Sequence, residues 1–518
     1  MFSYTCLGQS EVVIRISDNG NQIINKNIYG QFAEHIGDCI YNGLWVGKDS
    51  KIKNVSGCRA DVLDALKKLK IPVLRWPGGC FADDYHWMNG IGPVEKRPKM
   101  LNNNWLGVLE DNSFGTHEFL NLCELLKCEP YLVGNVGSGS FEELSNWIEY
   151  INSASNSPMA NLRRQNGRDK PWNIKYLGVG NESWGCGGSM LPEYYADLYR
   201  RYATYCRNHD GNKLFKIACG AGGGQEPDYL WTDIMMSKVG PIMHGLSLHY
   251  YTSLPNVPKG WNGSGKSATI FSDEDYYLSV NTGLGIEETI RKHSAIMDKY
   301  DKEKKIAIIV DEWGSYWKSA EPGPSRLFFQ QSSLRDAILA SITLNIFNNH
   351  CDRIQMANIA QLVNVLQSLI LTEGDKMTCT PTYHVFEMFS VHQDAKYLPI
   401  EVSNKMVHLP AGNEVPMISA SASRDRNGVI HISLVNIDLN INQSVVMNLP
   451  FAKMVNAKIS GRILTADNIT DHNAIGGIEL VKPTDFTAYR NSPEKFQLEL
   501  PAKSVVILSI ECKDISKL

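Results

Sequence analysis

The sequence predicts an α/β chain: a (β/α)8 TIM barrel followed by a smaller all-β sandwich of jelly-roll type. Three observations predict it. Short apolar runs alternate with helical periods eight times before residue 395, short alternating strands then take over, and 518 residues exceed what one growing core can hold. The composition, 43% hydrophobic, 20% charged and 9% aromatic, fits a globular class and excludes disordered, collagen-like and coiled-coil chains.

The eight candidate strands are Ile28 to Glu34, Ile71 to Trp76, Pro130 to Asn135, Ile174 to Glu182, Phe215 to Cys219, Gly245 to Tyr250, Ile306 to Glu312 and Ile354 to Ala360. Helical periods lie between them. Asp61 to Lys70 carries apolar residues at 62, 63, 66 and 69, and His117 to Lys127 repeats the spacing, so each presents one stripe to a sheet. Further helices are predicted over Glu142 to Ile151, Pro192 to Asn208, Ile286 to Tyr300 and Gln330 to Phe347. A doubly wound open sheet is the structural alternative, and it would more often show a Gly-rich first turn, which is absent after the first strand.

After Tyr383 to His392 the period shortens to Val402 to His408, Val429 to Asn436, Gln443 to Leu449, Ala457 to Leu464, Phe496 to Leu500 and Ser504 to Glu511. Glu11 to Ser17 alternates in the same way. The expected organisation is therefore residues 1–27 as strand joining the sandwich, 28–395 as barrel and 396–518 as sandwich.

Lysine plus arginine, 51, nearly balance aspartate plus glutamate, 55, and no basic block stands out, which predicts no nucleic-acid partner. No apolar run is long enough to span a membrane, and the first residues lack a basic and an apolar segment of the export type. The expectation is a cytoplasmic protein with no membrane partner; export would need a leader ahead of residue 1. The 12 cysteines are scattered without a CxxC pair, which predicts free buried thiols in a reducing compartment and no zinc site. His35 and Cys39 are four apart, but no matching pair completes a metal set. No cofactor or metal is expected.

In a barrel, chemistry sits at the carboxyl ends of the strands. Glu182 closes the fourth strand and Glu312 the seventh, each preceded by a polar residue (Asn181, Asp311) and followed closely by tryptophan (Trp184, Trp313). Singly, each reads better as a surface carboxylate in a polar loop. Paired across a barrel and flanked by aromatic rings, they suit glycoside hydrolysis, in which one carboxyl protonates the leaving oxygen and the other attacks the anomeric carbon or activates water. A gap of about 5 to 5.5 Å between them means retention, and about 6.5 to 9.5 Å inversion.

Other strand ends join the set: Glu34 and His35 on the first, Arg75 on the second, Asn135 on the third, His249 and Tyr251 on the sixth. Arg75 could hydrogen-bond Glu312 as a nucleophile requires, or form a structural ion pair. His249 reads evenly as a core histidine or a support for the carboxylates. Asn181-Glu182-Ser183 matches a glycosylation pattern but closes a buried strand. The glycine-rich run from Gly220 to Gly224 lacks the Lys-Ser/Thr of a phosphate loop and reads as a flexible βα loop.

The segments IYGQFAEH, LRWPGG, YLGVGNE, LSLHYY, VDEWG and MANIAQLVNVL, in this order over nearly the whole chain, resemble the arabinofuranosidases of glycoside hydrolase family 51. The resemblance implies a retaining clan A barrel with a carboxy-terminal sandwich, cleaving terminal α-L-arabinofuranosyl groups from arabinan, arabinoxylan or their oligosaccharides. By matching motif, Glu182 would be the acid/base and Glu312 the nucleophile. Asn181 would bind the hydroxyl beside the reacting carbon, Glu34 would hold further hydroxyls, Arg75 would orient the nucleophile, Tyr251 would hydrogen-bond it, and Gln361 would reach the sugar from the eighth strand. A homo-oligomer, often a hexamer, is also implied.

Cys80 departs from the family pattern, where asparagine commonly follows RWPGG and touches the sugar; cysteine cannot supply that amide. The segment GGCFADDYHW resembles a subgroup that carries the cysteine. A xylosyl or glucosyl group, an endo-β-glucanase or xylanase of the same clan, and a catalytically silent carbohydrate-binding protein are the competing readings. Exo and endo action differ in the loops 38–56, 89–112 and 253–274, which carry Trp45, Trp105 and Trp261, with Trp87 beside them.

Overall fold

Eight strands, Gly30–Phe32, Val73–Trp76, Glu129–Gly134, Tyr176–Val179, Phe215–Ala221, Gly245–Thr252, Ala307–Ser315 and Ile354–Ala360, pair in parallel and in chain order to close a barrel. The computed structural model describes residues 11–255, 266–318, 326–409, 414–452, 454, 457–492 and 496–512. Val73–Trp76 and Tyr176–Val179 are buried at every position, because parallel strands have side chains inside the barrel on one face and helices on the other. That two-sided burial is why these strands read as continuous apolar runs.

Strand lengths differ from the sequence expectation where the chain turns. Ile28 and Tyr29 belong to a 3-10 turn, Lys26–Tyr29, capped by the Asn25 side chain accepting from the Asn27 N–H. The fourth strand stops at Val179, because Gly180 and Glu182 take positive φ values of 83° and 39° that carry the chain out of the sheet. The glycine-rich run is not simply a flexible loop: Gly220 and Ala221 lie in the fifth strand, where a Cβ on Gly220 would come within 1.8 Å of the Ser247 carbonyl oxygen.

The helices return the chain along the outside. Ala60–Leu69 buries Val62, Leu63, Leu66 and Leu69 and ends at Lys70 in a left-handed conformation. The helix expected over 286–300 is the second half of a longer one, Asp273–Asp298, started by a capping box in which Ser272 receives the Asp275 N–H. Ser279, Gly283 and Gly285 interrupt the apolar period of its first half. Pro158–Gln165, Glu226–Val239 and Pro381–Phe389 are further helices that the period did not reveal. Among the described residues no helix is long and apolar enough to cross a membrane.

A five-stranded and a six-stranded sheet face each other over a second core that includes Ile14, Ile432, Leu434, Leu498 and Leu508. Val12–Ile16 lies in the five-stranded sheet, antiparallel to Ile400–Val402 and parallel to Gln443–Asn448. The strand expected over 402–408 is two short ones: Ile400–Val402 stays in that sheet, while Met406–His408 pairs with Glu414–Pro416. Ile418–Arg424, a serine and alanine alternation without the bulky residues that mark a strand, went unread and pairs with Ile430–Asn436.

Helix Leu334–Asn349 is buried nearly all round because it lies between barrel and sandwich. Asn345 and Asn348 on it face the sheet, bonded to Ser419 and Ser421 at 3.1 and 3.0 Å. Buried amides thus find partners across the junction.

Candidate active site

A cavity of about 190 Å³ opens at the carboxyl ends of the barrel strands, lined by Glu34, Gly79, Cys80, Trp105, Asn181, Glu182, Tyr251, Glu312, Tyr316, Phe328, Gln361 and their neighbours Ile36 and Leu366. Arg75 and His249 lie behind this lining and touch its carboxylates.

The floor is a buried ion cluster. Arg75 donates from Nη1 to Glu312 Oε1 at 2.8 Å and from Nη2 to Asn181 Oδ1 at 2.7 Å, while its Nε lies 3.6 Å from Asp311 Oδ2. Its guanidinium also stacks 4.4 Å from the Phe32 ring centroid. Tyr251 donates to the other oxygen of Glu312 at 2.9 Å, and Tyr131 donates to Asp311 at 2.7 Å. Burial would raise the Asp311 carboxyl, but Arg75 and His249 outweigh it and hold it below the usual range.

His249 joins both candidate carboxylates. Its Nδ1 lies 2.9 Å from Glu182 Oε1 and 3.5 Å from Glu312 Oε2, and its Nε2 lies 3.3 Å from Asp311 Oδ1. Burial alone would lower its pKa; the charges of Glu312, Asp311 and Glu182 overcome that and push it up to about 10. At neutral pH it is therefore an imidazolium with two N–H donors, one for each side of the cluster.

Strand irregularities aim these groups. In a regular strand the adjacent Asp311 and Glu312 would face opposite sides. The pairing of the seventh strand shifts between Ser247 and His249 on one side and between Val310 and Trp313 on the other, and both carboxylates end up in the cluster. Trp313 then points outward, buried against Phe347 and Phe386 with ring centroids 5.4 and 6.1 Å away. It is no platform for a sugar. Trp184 donates its indole N–H to the Gly220 carbonyl and is not among the cavity-lining residues.

Glu34 and Gln361 stitch the first strand to the eighth: the Glu34 N–H donates to Gln361 Oε1 at 3.2 Å, and Gln361 Nε2 donates to Glu34 Oε2 at 3.1 Å. The Phe81 N–H and the Trp105 indole N–H serve Glu34 Oε1. Burial first, and the Glu312 charge second, push the Glu34 carboxyl up to about 7. Of the tryptophans marked in sequence, Trp105 reaches the cavity, Trp45 and Trp87 are buried elsewhere, and Trp261 lies outside the described residues. Asn135 turns to Ser138 and the Tyr85 carbonyl, and His35 is buried against Glu110, so neither lines the cavity.

The expectation of free thiols fails at the site itself. Cys80 and Cys186 form a disulfide across a sequence separation of 106 residues, and nine other described cysteines are free. Only the barrel brings the loops after the second and fourth strands together, so spacing gave no sign of the pair. Asp83, three residues after Cys80, was also missed: its carboxylate accepts the N–H groups of Val136, Gly137 and Asn181 at 2.7, 3.0 and 2.9 Å. Nothing local distinguishes it from Asp84.

Two groups of potential metal ligands lie within 4.8 Å among the described residues: Cys80, Glu182 and Cys186, and Glu182, His249 and Glu312. In the first the sulfurs are bonded to each other. The second is the candidate catalytic pair together with the histidine that joins them. The second group also fixes the key distance: an oxygen of Glu182 and one of Glu312 lie within 4.8 Å of each other.

Residues 65–256 match the family model described as the α-L-arabinofuranosidase 1 domain, and residues 311–504 match that of the α-L-arabinofuranosidase C-terminal domain. The second match starts inside the seventh barrel strand and runs into the sandwich. Over 496 residues the chain is 58% identical to an intracellular exo-α-L-arabinofuranosidase of Bacteroides ovatus, covering 96% of this chain and 94% of that protein. The crystal structure of a family 51 arabinofuranosidase from Xanthomonas axonopodis pv. citri superposes with a TM-score of 0.91 at 44% identity, covering 97% of this chain and 100% of that one. The α-L-arabinofuranosidase of Thermotoga maritima, solved with arabinose, superposes at 0.83 with 28% identity over 97% and 100%. Barrel, sandwich and these likenesses together define a glycoside hydrolase. The chain belongs to the α-L-arabinofuranosidases of glycoside hydrolase family 51.

Proposed function

We propose that this enzyme removes single terminal α-L-arabinofuranosyl groups from arabinan, arabinoxylan or arabino-oligosaccharides by double displacement, with Glu312 as nucleophile and Glu182 as acid/base. The carrying observation is the approach of their carboxylate oxygens to within 4.8 Å. That closeness suits direct attack by one carboxylate and leaves little room for the intervening water of inversion. Exo action is supported by the cavity, whose roughly 190 Å³ is below the ~300 Å³ at which drug-sized sites begin and suits one pentose.

In the first step a Glu312 oxygen bonds to the anomeric carbon as the glycosidic bond breaks, and Glu182 gives its proton to the departing oxygen. In the second, Glu182 takes a proton from water, whose oxygen displaces Glu312 from the same carbon. Arg75 and Tyr251, donating to the two oxygens of Glu312, fix its approach. His249 orients Glu182 through Nδ1. Asn181, Glu34 and Gln361 border the space for the sugar hydroxyls.

The relative's description as intracellular supports a cytoplasmic place for this chain. The family resemblance supports a homo-oligomer, in the hexameric form, to be checked by sedimentation. The buried amide contacts between helix Leu334–Asn349 and the sheet support the sandwich as a brace for the barrel.

The test is nitrophenol release from nitrophenyl α-L-arabinofuranoside, β-xyloside and β-glucoside, beside reducing-end release from carboxymethyl-cellulose, for the wild type and Glu312→Ala. Fast arabinofuranoside turnover, with the anomeric configuration retained by NMR and lost in the variant, is the expected result. Turnover of cellulose or xyloside alone would replace the arabinose assignment by the endo-glucanase or xylanase reading. Binding without turnover would leave a silent carbohydrate-binding protein.

A further inference from the structure

The short turn Cys80–Asp83, which follows the second barrel strand, grips the loop after the fourth strand on both sides of Glu182. On one side Asp83 Oδ2 accepts the Asn181 N–H at 2.9 Å. On the other, Cys80 is bonded to Cys186, four residues beyond Glu182. Between the grips the loop folds on itself: the N–H groups of Gly185 and Gly187 donate to the Glu182 carbonyl at 2.7 and 3.1 Å, and Met190 N–H donates to the Ser183 carbonyl at 2.7 Å.

The loop has little slack. A Cβ on Gly187 would come within 1.9 Å of the Asn181 carbonyl oxygen. Glu182 sits at φ 39°, a left-handed conformation that a residue with a side chain keeps only where its surroundings impose it. Cys186 Sγ lies 3.6 Å from Glu182 Oε2. Glu312 has its own direct partners, Arg75, Tyr251 and His249, and meets this loop only through Arg75, which also donates to Asn181, and through His249, which also touches Glu182.

We propose that Cys80, Cys186 and Asp83 are positioning residues for Glu182, so that opening the Cys80–Cys186 bond weakens proton transfer to the leaving oxygen while sparing attack by Glu312. This rests on the acid/base reading of Glu182 given above. Opening the bond takes two electrons and two protons from a dithiol, which closes to its own cyclic disulfide as the two cysteines become thiols.

The experiment compares untreated enzyme, enzyme reduced with dithiothreitol, Cys186→Ser and Glu182→Ala on two substrates. Dinitrophenyl α-L-arabinofuranoside loses its leaving group without a proton, whereas an arabino-oligosaccharide needs one. Thiol titration of the denatured, unreduced protein should find two fewer thiols than after reduction. General acid catalysis is worth about 10² to 10⁴, so reduced enzyme and Cys186→Ser should lose about 10-fold or more in kcat/KM on the oligosaccharide and under about 3-fold in kcat/KM on the dinitrophenyl substrate, since kcat/KM reports the first step alone, before Glu182 acts as base on water. Equal losses on both substrates, no loss, or a full set of free thiols in untreated protein would overturn the proposal. If Cys186→Ser does not fold, the reduced wild type gives the same comparison. If Glu182→Ala itself loses equally on both substrates, the acid/base reading has failed, and that outcome is distinct from failure of the bridge alone.

Discussion

The seventh barrel strand runs through Glu312 to Ser315, whereas the fourth stops at Val179, short of Glu182. The Glu312 side chain is 8% exposed and sits in a cluster of charges; the Glu182 side chain is 22% exposed and sits on a looped segment. One carboxylate is held by its own charged partners, Arg75 and His249, with Tyr251. The other is held mainly through its backbone, by Asp83 and the disulfide, and touches His249 alone among the charged groups around it. The difference matches what each must do in the proposed reaction. An attacking oxygen needs a fixed line to one carbon, whereas the acid/base must meet first a leaving sugar and then water, and so lies nearer solvent.

Arg75→Met should give a large effect, because it takes the guanidinium from the buried Asp311 and Glu312 and leaves His249 to balance both carboxylates. Breaking such a buried pair costs about 3 to 5 kcal/mol, readable as a fall in urea midpoint together with loss of turnover. A change below about 1 kcal/mol would break the claim that charge holds the Glu312 side. Tyr251→Phe removes one donor to a charged group, worth about 1.5 to 3 kcal/mol, so kcat/KM should fall roughly 10- to 100-fold. Because it acts on Glu312, the loss should be alike for good and poor leaving groups, the opposite of what the loop variants show.

Asp83→Asn sharpens the other side. Its amide N–H₂ must face one of the three N–H donors that the carboxylate now accepts, at a cost of about 1 to 3 kcal/mol in stability, with activity lost chiefly on poor leaving groups. Equal loss on all substrates would deny Asp83 a share in placing Glu182. A pH slope from His249, the group common to both sides, reads the two together. Its folded pKa of about 10 lies above the unfolded value of about 6.5, so its contribution is complete below pH 6.5 and is lost as pH rises toward 10. Calorimetry at rising pH should show stability falling through that window, with His249→Gln flattening the fall; equal slopes would remove His249 from the cluster.

The sequence by itself determined the parts whose signals are local. Strands buried on both faces must be apolar runs, amphipathic helices must repeat every three to four residues, and polar residues closing such strands must lie at one end of the barrel. Glu34, Cys80, Asn181, Glu182, Tyr251, Glu312 and Gln361 could all be picked out in this way or by matching motif, and they line one cavity. The tertiary structure decided the rest, because it depends on register and closure. Strand irregularities turned Asp311 and Glu312 into one cluster and sent Trp313 outward, and the crowd of carboxylates made His249 a cation. Closing the barrel set Cys80 against Cys186 and Asp83 against Asn181, contacts between loops far apart in the chain that no spacing along one strand or helix can announce.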